Sequence, residues 1–340
     1  MKVTTIGIDL AKEVFAIHGV DNKGHTVLRK LLKRHEMAKF FAILEPCLVG
    51  MEACGSAHNW ARKLEGYGHT VKLMAPQFVK PYVKTNKNDA ADAQAICEAV
   101  GRPTMRFVAK KTVEQQSILA VHRARQGFVK ARTAQGNQIR GLLAEFGIVL
   151  PQRIHTITQR MPDILEDGEN GLTETMRQLL ERLTNHLKEM DKQVNELEAQ
   201  IQRWHQDNAA SRRLAKIPGL GPITASAIVA TIGEAREFKS GRQLAAWLGL
   251  VPRQHSSGGK HVLLGISKRG DSYLRTLLIH GARAVIRYAS NQETPNDWLG
   301  KTLARRHKNV VAVALANKNA RIVWALLTKN ASYEADFSAA

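Results

Sequence analysis

The chain has 340 residues, of which 44% are hydrophobic, so it has material for two or three domains with real cores and is not a disordered chain. Its 50 Lys+Arg against 30 Asp+Glu leave a formal net charge of +20, which calls for a polyanionic partner. No apolar run reads as long enough to span a bilayer and MKVTTIGIDL lacks a signal peptide's apolar stretch, so no membrane partner and a cytoplasmic location are expected.

In chain order, VTTIGIDLA (3–11) reads as a strand ending near Asp9, and VFAIHGVDNKGHTVLRKLL (14–32) as a hairpin turning at Asp21–Gly24. HEMAKFFAIL has helical spacing, CLVGMEA is a strand ending near Glu52, SAHNWARKLEGYG is a helix stopped by glycine, and HTVKLMAP is another strand. A helix then opens at Asp89. Strand, strand, strand, helix, strand, helix, strand, helix is the order of an α/β domain with a mixed sheet, placed at residues 1–110.

Residues 111–170 read as a basic helical extension. TVEQQSILAVHRARQGFVKARTAQGNQIRGLLAEF (112–146) is one long helix or two, with Gly127 and Gly136 as weak points, and an irregular segment follows Pro151. Within 171–208, Met176, Leu180, Leu183, Leu187, Met190, Val194, Leu197, Ile201 and Trp204 repeat in alternating steps of four and three. That heptad pattern predicts a coiled coil, either in an oligomer (dimer or tetramer) or as an antiparallel pairing inside the chain. Residues 209–330 read as a mostly helical C-terminal domain, with a tail at 331–340. Two tracts concentrate the positive charge: 11 Lys/Arg against 2 acids from Gly101 to Arg160, and 12 against 3 from His261 to Asn330. The three cysteines, Cys47, Cys54 and Cys97, have no paired short spacing, so neither a zinc site nor a disulfide framework is expected.

Four acids stand out. Asp9 and Glu52 end strands, and Asp89 with Asp92 opens a helix, where positions three apart share a face. Sites in α/β sheets gather at the carboxyl ends of strands, so these carboxylates can converge. An all-oxygen set suits Mg²⁺ or Mn²⁺. Taken alone, Asp89 and Asp92 fit a helix-capping pair better, Asp9 a turn residue and Glu52 a surface charge.

The blocks GIDLAKE (7–13), GMEACG (50–55) and KNDAADAQAI (87–96), in that order, resemble the DEDD signature of the bacterial insertion-sequence transposase family numbered one-ten, which includes the Piv-type DNA invertases. That resemblance implies a RuvC-like, RNase H-type fold and makes Asp9, Glu52, Asp89 and Asp92 catalytic metal ligands. GIDLAK after a strand also resembles the phosphate loop of sugar-kinase and actin-like ATPases, but the +20 charge and the lack of a second glycine-rich nucleotide motif argue against that fold.

The block IPGLGPITASAI (217–228) looks like a helix-hairpin-helix, in which Gly219 and Gly221 would let backbone N–H groups meet a phosphate backbone; an ordinary Gly-Pro connection between helices is the alternative. AAWLGLVPRQHSSGGKHVLLGISKRGDSYLRTLL (245–278) carries Ser256 and Ser257 ahead of Lys260, Lys268, Arg269 and Arg275, candidate contacts to nucleic acid. Chemistry alone favours a flexible polar turn between two helices here, because a serine hydroxyl needs an activating base, metal or cation.

The same block is similar to the C-terminal domain of that family, whose nucleophilic serine precedes a glycine. That maps best to Ser257, with Ser256 the alternative. The resemblance spans about residues 6–150 and 212–300. It implies a phosphoserine link to DNA, donor and target DNA as substrates, an element-encoded guide RNA as partner, and action at the bacterial nucleoid. A RuvC-like nuclease using water, and a non-catalytic nucleic-acid-binding scaffold, stay open beside it.

Overall fold

The computed structural model describes residues 2–84, 88–289 and 298–334. Lys87, which opens the KND block, and residues 335–340 of the tail lie outside them. The chain divides into two compact units, Met1–Val113 with Ala235–Lys239, and Glu114–Glu234 with Ser240–Ala340.

The first unit follows the expected order of elements. Strands β1 (Thr5–Leu10), β2 (Val14–Val20) and β3 (Thr26–Lys33) are followed by α1 (Met37–Ile43), β4 (Leu48–Glu52), α2 (Ala57–Gly66), β5 (Thr70–Met74), the short α3 (Pro76–Val79), α4 (Asp89–Val100) and a two-residue β6 (Phe107–Val108). They form one six-stranded sheet in the order β3-β2-β1-β4-β5-β6. β1 pairs antiparallel with β2 and parallel with β4, the mixed sheet expected of this part of the chain. The period-2 pleat divides its faces. Ile6, Ile8, Phe15, Ile17, Val49 and Met51 bury themselves with Trp60 and Leu64 of α2 and Phe41 of α1. Gly7 and Gly50 face the other way, towards α4. A Cβ on Gly7 would fall inside the van der Waals shell of the Ala93 carbonyl and the Cys97 backbone nitrogen, and one on Gly50 would meet Val100 Cβ at 2.7 Å. These glycines let α4 lie directly on β1 and β4.

The second unit begins, after Val113, with a basic helix, α5 (Val113–Ala144), unbroken at Gly127 and Gly136. Gly136 is a close-approach residue: its Cβ would meet Ile154 Cδ1 of α6 (Ile154–Glu166) at 2.7 Å. The segment after Pro151 is therefore a helix and not the irregular stretch expected, with Pro162 inside it. α7 (Glu174–Asp207) carries the heptads and is capped by Thr173, whose side chain accepts from Met176 N. Its partners run down α5 as they run up α7: Trp204 Nε1 donates to Glu114 at 2.7 Å, Arg125 Nε to Glu198 at 2.8 Å, Arg132 pairs with Asp191, and His186 meets Gln135 at 3.0 Å. That progression makes the two helices antiparallel. Leu180, Leu187 and Met190 close on Ile139 and Leu143 of α5 and on Ile157 and Met161 of α6. The seam is covered within the chain, so the heptads carry no argument for an oligomer.

The remaining elements are α8 (Ala209–Leu214), α9 (Pro222–Ile232), α10 (Gly241–Trp247), a two-stranded ribbon of β7 (Pro252–Ser257) and β8 (Lys260–Ile266), then α11 (Ser272–Ala289), α12 (Trp298–Leu303) and α13 (Lys308–Lys329). The ribbon replaces the polar turn between helices that was expected here. Two glycines at positive φ, Gly258 at 55° and Gly259 at 77°, close it as a two-residue hairpin, the backbone such turns require. α13 is long and apolar enough to cross a membrane by length and composition, contrary to the sequence expectation, and half of its apolar stretch is buried inside the protein. Its Asn319 donates to the Pro218 carbonyl at 3.0 Å and its Asn317 to that of Leu250 at 3.2 Å, ties that fix it within the fold.

One buried polar group joins three helices. His122 of α5, 1% exposed, meets Tyr273 Oη of α11 and Ser226 Oγ of α9, each at 3.1 Å. Burial, helped by the Arg125 charge, lowers its pKa to about 4. The unfolded chain therefore takes up this proton first as pH falls, so the stabilisation is complete at neutral pH and is lost from the ordinary histidine range down towards pH 4. Thermal midpoints measured from pH 7 to pH 4 should fall, with His122 contributing about 3 kcal/mol at most. His122→Gln should flatten that part of the curve.

Candidate active site

Asp9 and Glu52 stand at the carboxyl ends of neighbouring parallel strands whose register runs through Gly7↔Gly50 and Ile8↔Met51, so the two acids are next in line side by side. Because Gly7 and Gly50 face α4, Asp9 and Glu52, two residues further along, share that face. Both are half-buried. α4 begins beside them. Its Ala93 sits over Gly7, and Asp89, one turn earlier, lies on the same helical stripe, with the half-buried Asp92 next to it.

Capping does not account for the helix-opening acids. The N-cap is Asn88, whose Oδ1 accepts from Ala91 N at 2.8 Å. Asp89 and Asp92 are left in the first turn, where negative charge is favourable, and among the described residues neither forms an ion pair.

The four carboxylates are gathered at one edge and one face of the sheet, but not closed into a coordination shell. Among the described residues no group of three or more His, Cys, Asp or Glu is arranged to hold a metal ion. The fit to a hard divalent cation is one of donor type and placement.

Sequence reasoning missed a reporter of this edge. Cys54 follows β4, and its thiol is pushed up by desolvation first, then by Glu52, with a smaller contribution from Asp9. Cys47 and Cys97 are buried and pushed up to about 11, which leaves the exposed Cys54 as the thiol open to reagents. Removing the Glu52 charge must lower the Cys54 pKa. Glu52→Gln should therefore speed iodoacetamide alkylation of Cys54 severalfold at pH 7.5, and millimolar Mg²⁺ should do the same in the unaltered protein if it neutralises this edge. Peptide mass spectrometry reads both rates.

The same face extends into an open groove of about 470 Å³ lined by Ala16, His18, Arg29, Leu31, Asn88 and Gln94 among others. Register places Ala16 opposite both Asp9 and Leu31, and His18 opposite both Gly7 and Arg29. The groove thus continues the row of the carboxylates across β2 and β3. His18 is held below the ordinary histidine range by burial, then by Arg29.

In the second unit Ser257 is the last residue of β7 and pairs with Lys260 across the hairpin. Ser256 pairs with His261, and His255 with Val262. Consecutive residues point to opposite faces, so Ser256 and Ser257 do not share an environment. Ser256 Oγ accepts from Gln254 Nε2 at 2.9 Å. The ribbon is exposed from Pro252 through Gly265.

Lys260, Lys268 and Arg269 are exposed, whereas half-buried Arg275 donates from Nη1 to the carbonyls of Leu248 at 3.1 Å and Arg269 at 3.0 Å, bracing two turns. Gly219, at φ 88°, has packing around it: its Cβ would meet the Gly281 carbonyl oxygen of α11 at 2.8 Å. That face of the turn is pressed against α11 and not offered to a ligand, while Gly221 is exposed as the N-cap of α9.

A family model for the DEDD transposase of IS110 elements matches residues 6–148, and one described as Transposase IS116/IS110/IS902 family matches residues 211–296. A probable family 20 transposase of Pseudomonas aeruginosa is 54% identical over 335 residues, 98% of this chain and 99% of that protein. The transposase for insertion sequence element IS1111A of Coxiella burnetii is 45% identical over 97% of this chain and 91% of its own. A pilin gene-inverting protein of Moraxella lacunata is 31% identical over 132 residues, 37% of this chain and 39% of that protein. Near-complete overlap at such identities, with both family models in chain order over the sheet and over the segment holding the ribbon, shows that the chain belongs to the IS110 family and is a DNA transposase.

Proposed function

We propose that this transposase is an RNA-guided recombinase that cuts and exchanges strands through a covalent link between Ser257 and DNA, with Mg²⁺ held by Asp9, Glu52, Asp89 and Asp92. The observation that carries this reading is the delivery of Asp9 and Glu52 by adjacent parallel strands to the face on which α4 brings Asp89 and Asp92. A divalent cation bound there would polarise phosphoryl oxygens and offset the charge that develops in transfer. The four side chains would hold and orient it. Ser257 would supply the attacking oxygen from a hairpin whose turn leaves it exposed.

The two partners in nucleic acid are read from charge and family resemblance. Donor and target DNA are the substrates, and an element-encoded RNA would select them by pairing, which leaves the protein to hold backbone and duplex shape. A net charge of +20 with 6% aromatic residues suits such phosphate binding better than base stacking. The groove beside the carboxylates offers one path for a strand, with Arg29 as a phosphate contact. Arg29→Ala should weaken DNA binding severalfold and reduce the slope of log affinity against log salt by about one unit, measured by fluorescence anisotropy.

Incubating the protein with Mg²⁺, DNA carrying the ends of its element and the RNA transcribed beside them tests the proposal. A protein–DNA adduct mapping to Ser257 supports it. Products formed with no serine adduct favour hydrolysis by water.

A further inference from the structure

We propose that His255, Ser257 and Lys260 form one reactive face of the exposed hairpin, in which His255 accepts the Ser257 hydroxyl proton and Lys260 binds the phosphate under attack. This rests on the reading of Ser257 as the nucleophile and adds the groups that make it one.

The register carries the inference. Ser257 is directly opposite Lys260, and His255, two residues before it on β7, is directly opposite Val262. Cross-strand partners and residues two apart share a face, so His255, Ser257, Lys260 and Val262 all project from one side of the ribbon. Opposite partners have Cβ atoms about 5 Å apart, and neighbours two apart on a strand are about 7 Å apart. Both spans suit an imidazole or ammonium reaching the region of a hydroxyl.

The opposite face presents Gln254, Ser256, His261 and Leu263. There Ser256 already accepts from Gln254, and Gln254 Nε2 lies 3.5 Å from His261 Nδ1. The doubled serine is thereby split into one residue engaged by an amide and one set between a potential base and a cation. Gly258 and Gly259, both at positive φ, hold the two strands in this register, because a one-residue slip would exchange the faces.

The step balances within these groups and the DNA. The Ser257 Oγ–P bond forms as the P–O bond to the departing strand breaks. The hydroxyl proton passes to His255, which returns it to the departing oxygen. The Lys260 ammonium offsets charge on the non-bridging oxygens and is unchanged at the end.

A fluorophosphonate probe tests this on the full chain without a DNA sequence, since it phosphonylates serines that have a proton acceptor. Labelling should occur at Ser257 and not at Ser256, located by peptide mass spectrometry. His255→Ala should slow it about 10²-fold and remove the acid limb of its pH–rate profile. Lys260→Ala should slow it about tenfold, and Lys260→Arg should restore most of the rate. These residues are exposed, so circular dichroism of each variant should match the unaltered protein. Equal labelling at both serines, labelling of neither, or rates at Ser257 indifferent to His255 and Lys260, would overturn the inference. If that occurs while the DNA adduct still forms at Ser257, the function stands without this face. If Ser257 labels as expected but DNA products form without a serine adduct, the phosphoserine reading fails instead.

Discussion

Under the proposed phosphoserine mechanism, Ser257→Ala should abolish the covalent protein–DNA adduct and lower recombination by about 10⁴-fold or more, because it removes the attacking oxygen itself. Ser256→Ala should leave adduct formation within about threefold. The contrast follows from the pleat, which sends the two hydroxyls to opposite sides of the ribbon. Both changes are small and exposed, so neither should alter the fold. DNA binding by anisotropy should be unaffected in both. Denaturing gels that separate free from protein-linked DNA measure the outcome. Nicking that survives Ser257→Ala would identify a water-using nuclease.

The second large effect is expected at the sheet edge. Asp9→Asn keeps the size and hydrogen-bonding shape of the side chain but removes its charge. Strand cleavage in Mg²⁺ should fall by on the order of 10³-fold, with the thermal midpoint held or raised in metal-free buffer, where one repulsive carboxylate has gone. Glu52→Gln should behave alike. On the proposed reading the double variant should lose little more than either alone, because two side chains that would hold one ion act as a unit. A scaffold whose acids serve only the fold predicts instead that cleavage is insensitive to these changes.

Strands β1 to β5 of the first unit were legible because each carries local punctuation, whereas the two-residue β6 (Phe107–Val108) is too short to leave a pattern. Asp21–Gly24 turns the first hairpin, and the alternation of Ile6 and Ile8 with Gly7 and Asp9 already states which residues face which layer. Gly7, with Gly50 on β4, also marks the close approach of α4. The cap is Asn88 and not the acids after it, and Asn before a helical run is a strong cap signal.

The second unit hid more. The stretch around Ser256 and Ser257 was expected to be a polar turn between helices, yet Val262, Leu263 and Leu264, 47–67% exposed, sit on a solvent-facing ribbon that two adjacent glycines announced. α6 was obscured by Pro151 ahead of it and Pro162 within it. The heptads of α7 were plain, but no periodicity states which surface covers them. Here it is α5, whose basic residues Arg125 and Arg132 find Glu198 and Asp191. Part of that charge is therefore spent inside the protein and not on nucleic acid. α13 shows the same limit, since its composition suits a membrane span and its two asparagines tie it into the protein.

For the carboxylates, sheet register brings Asp9 and Glu52 to the ends of neighbouring parallel strands, and a bound ion can be located directly. Replacing Mg²⁺ by Fe²⁺ and adding ascorbate and peroxide generates hydroxyl radicals at the bound ion, which cut the nearest backbone. Cuts clustered at residues 8–10, 51–54 and 88–93, suppressed by excess Mg²⁺ and lost in Asp9→Asn, are the predicted result. Cuts scattered elsewhere, or a pattern that Asp9→Asn leaves unchanged, would contradict the account.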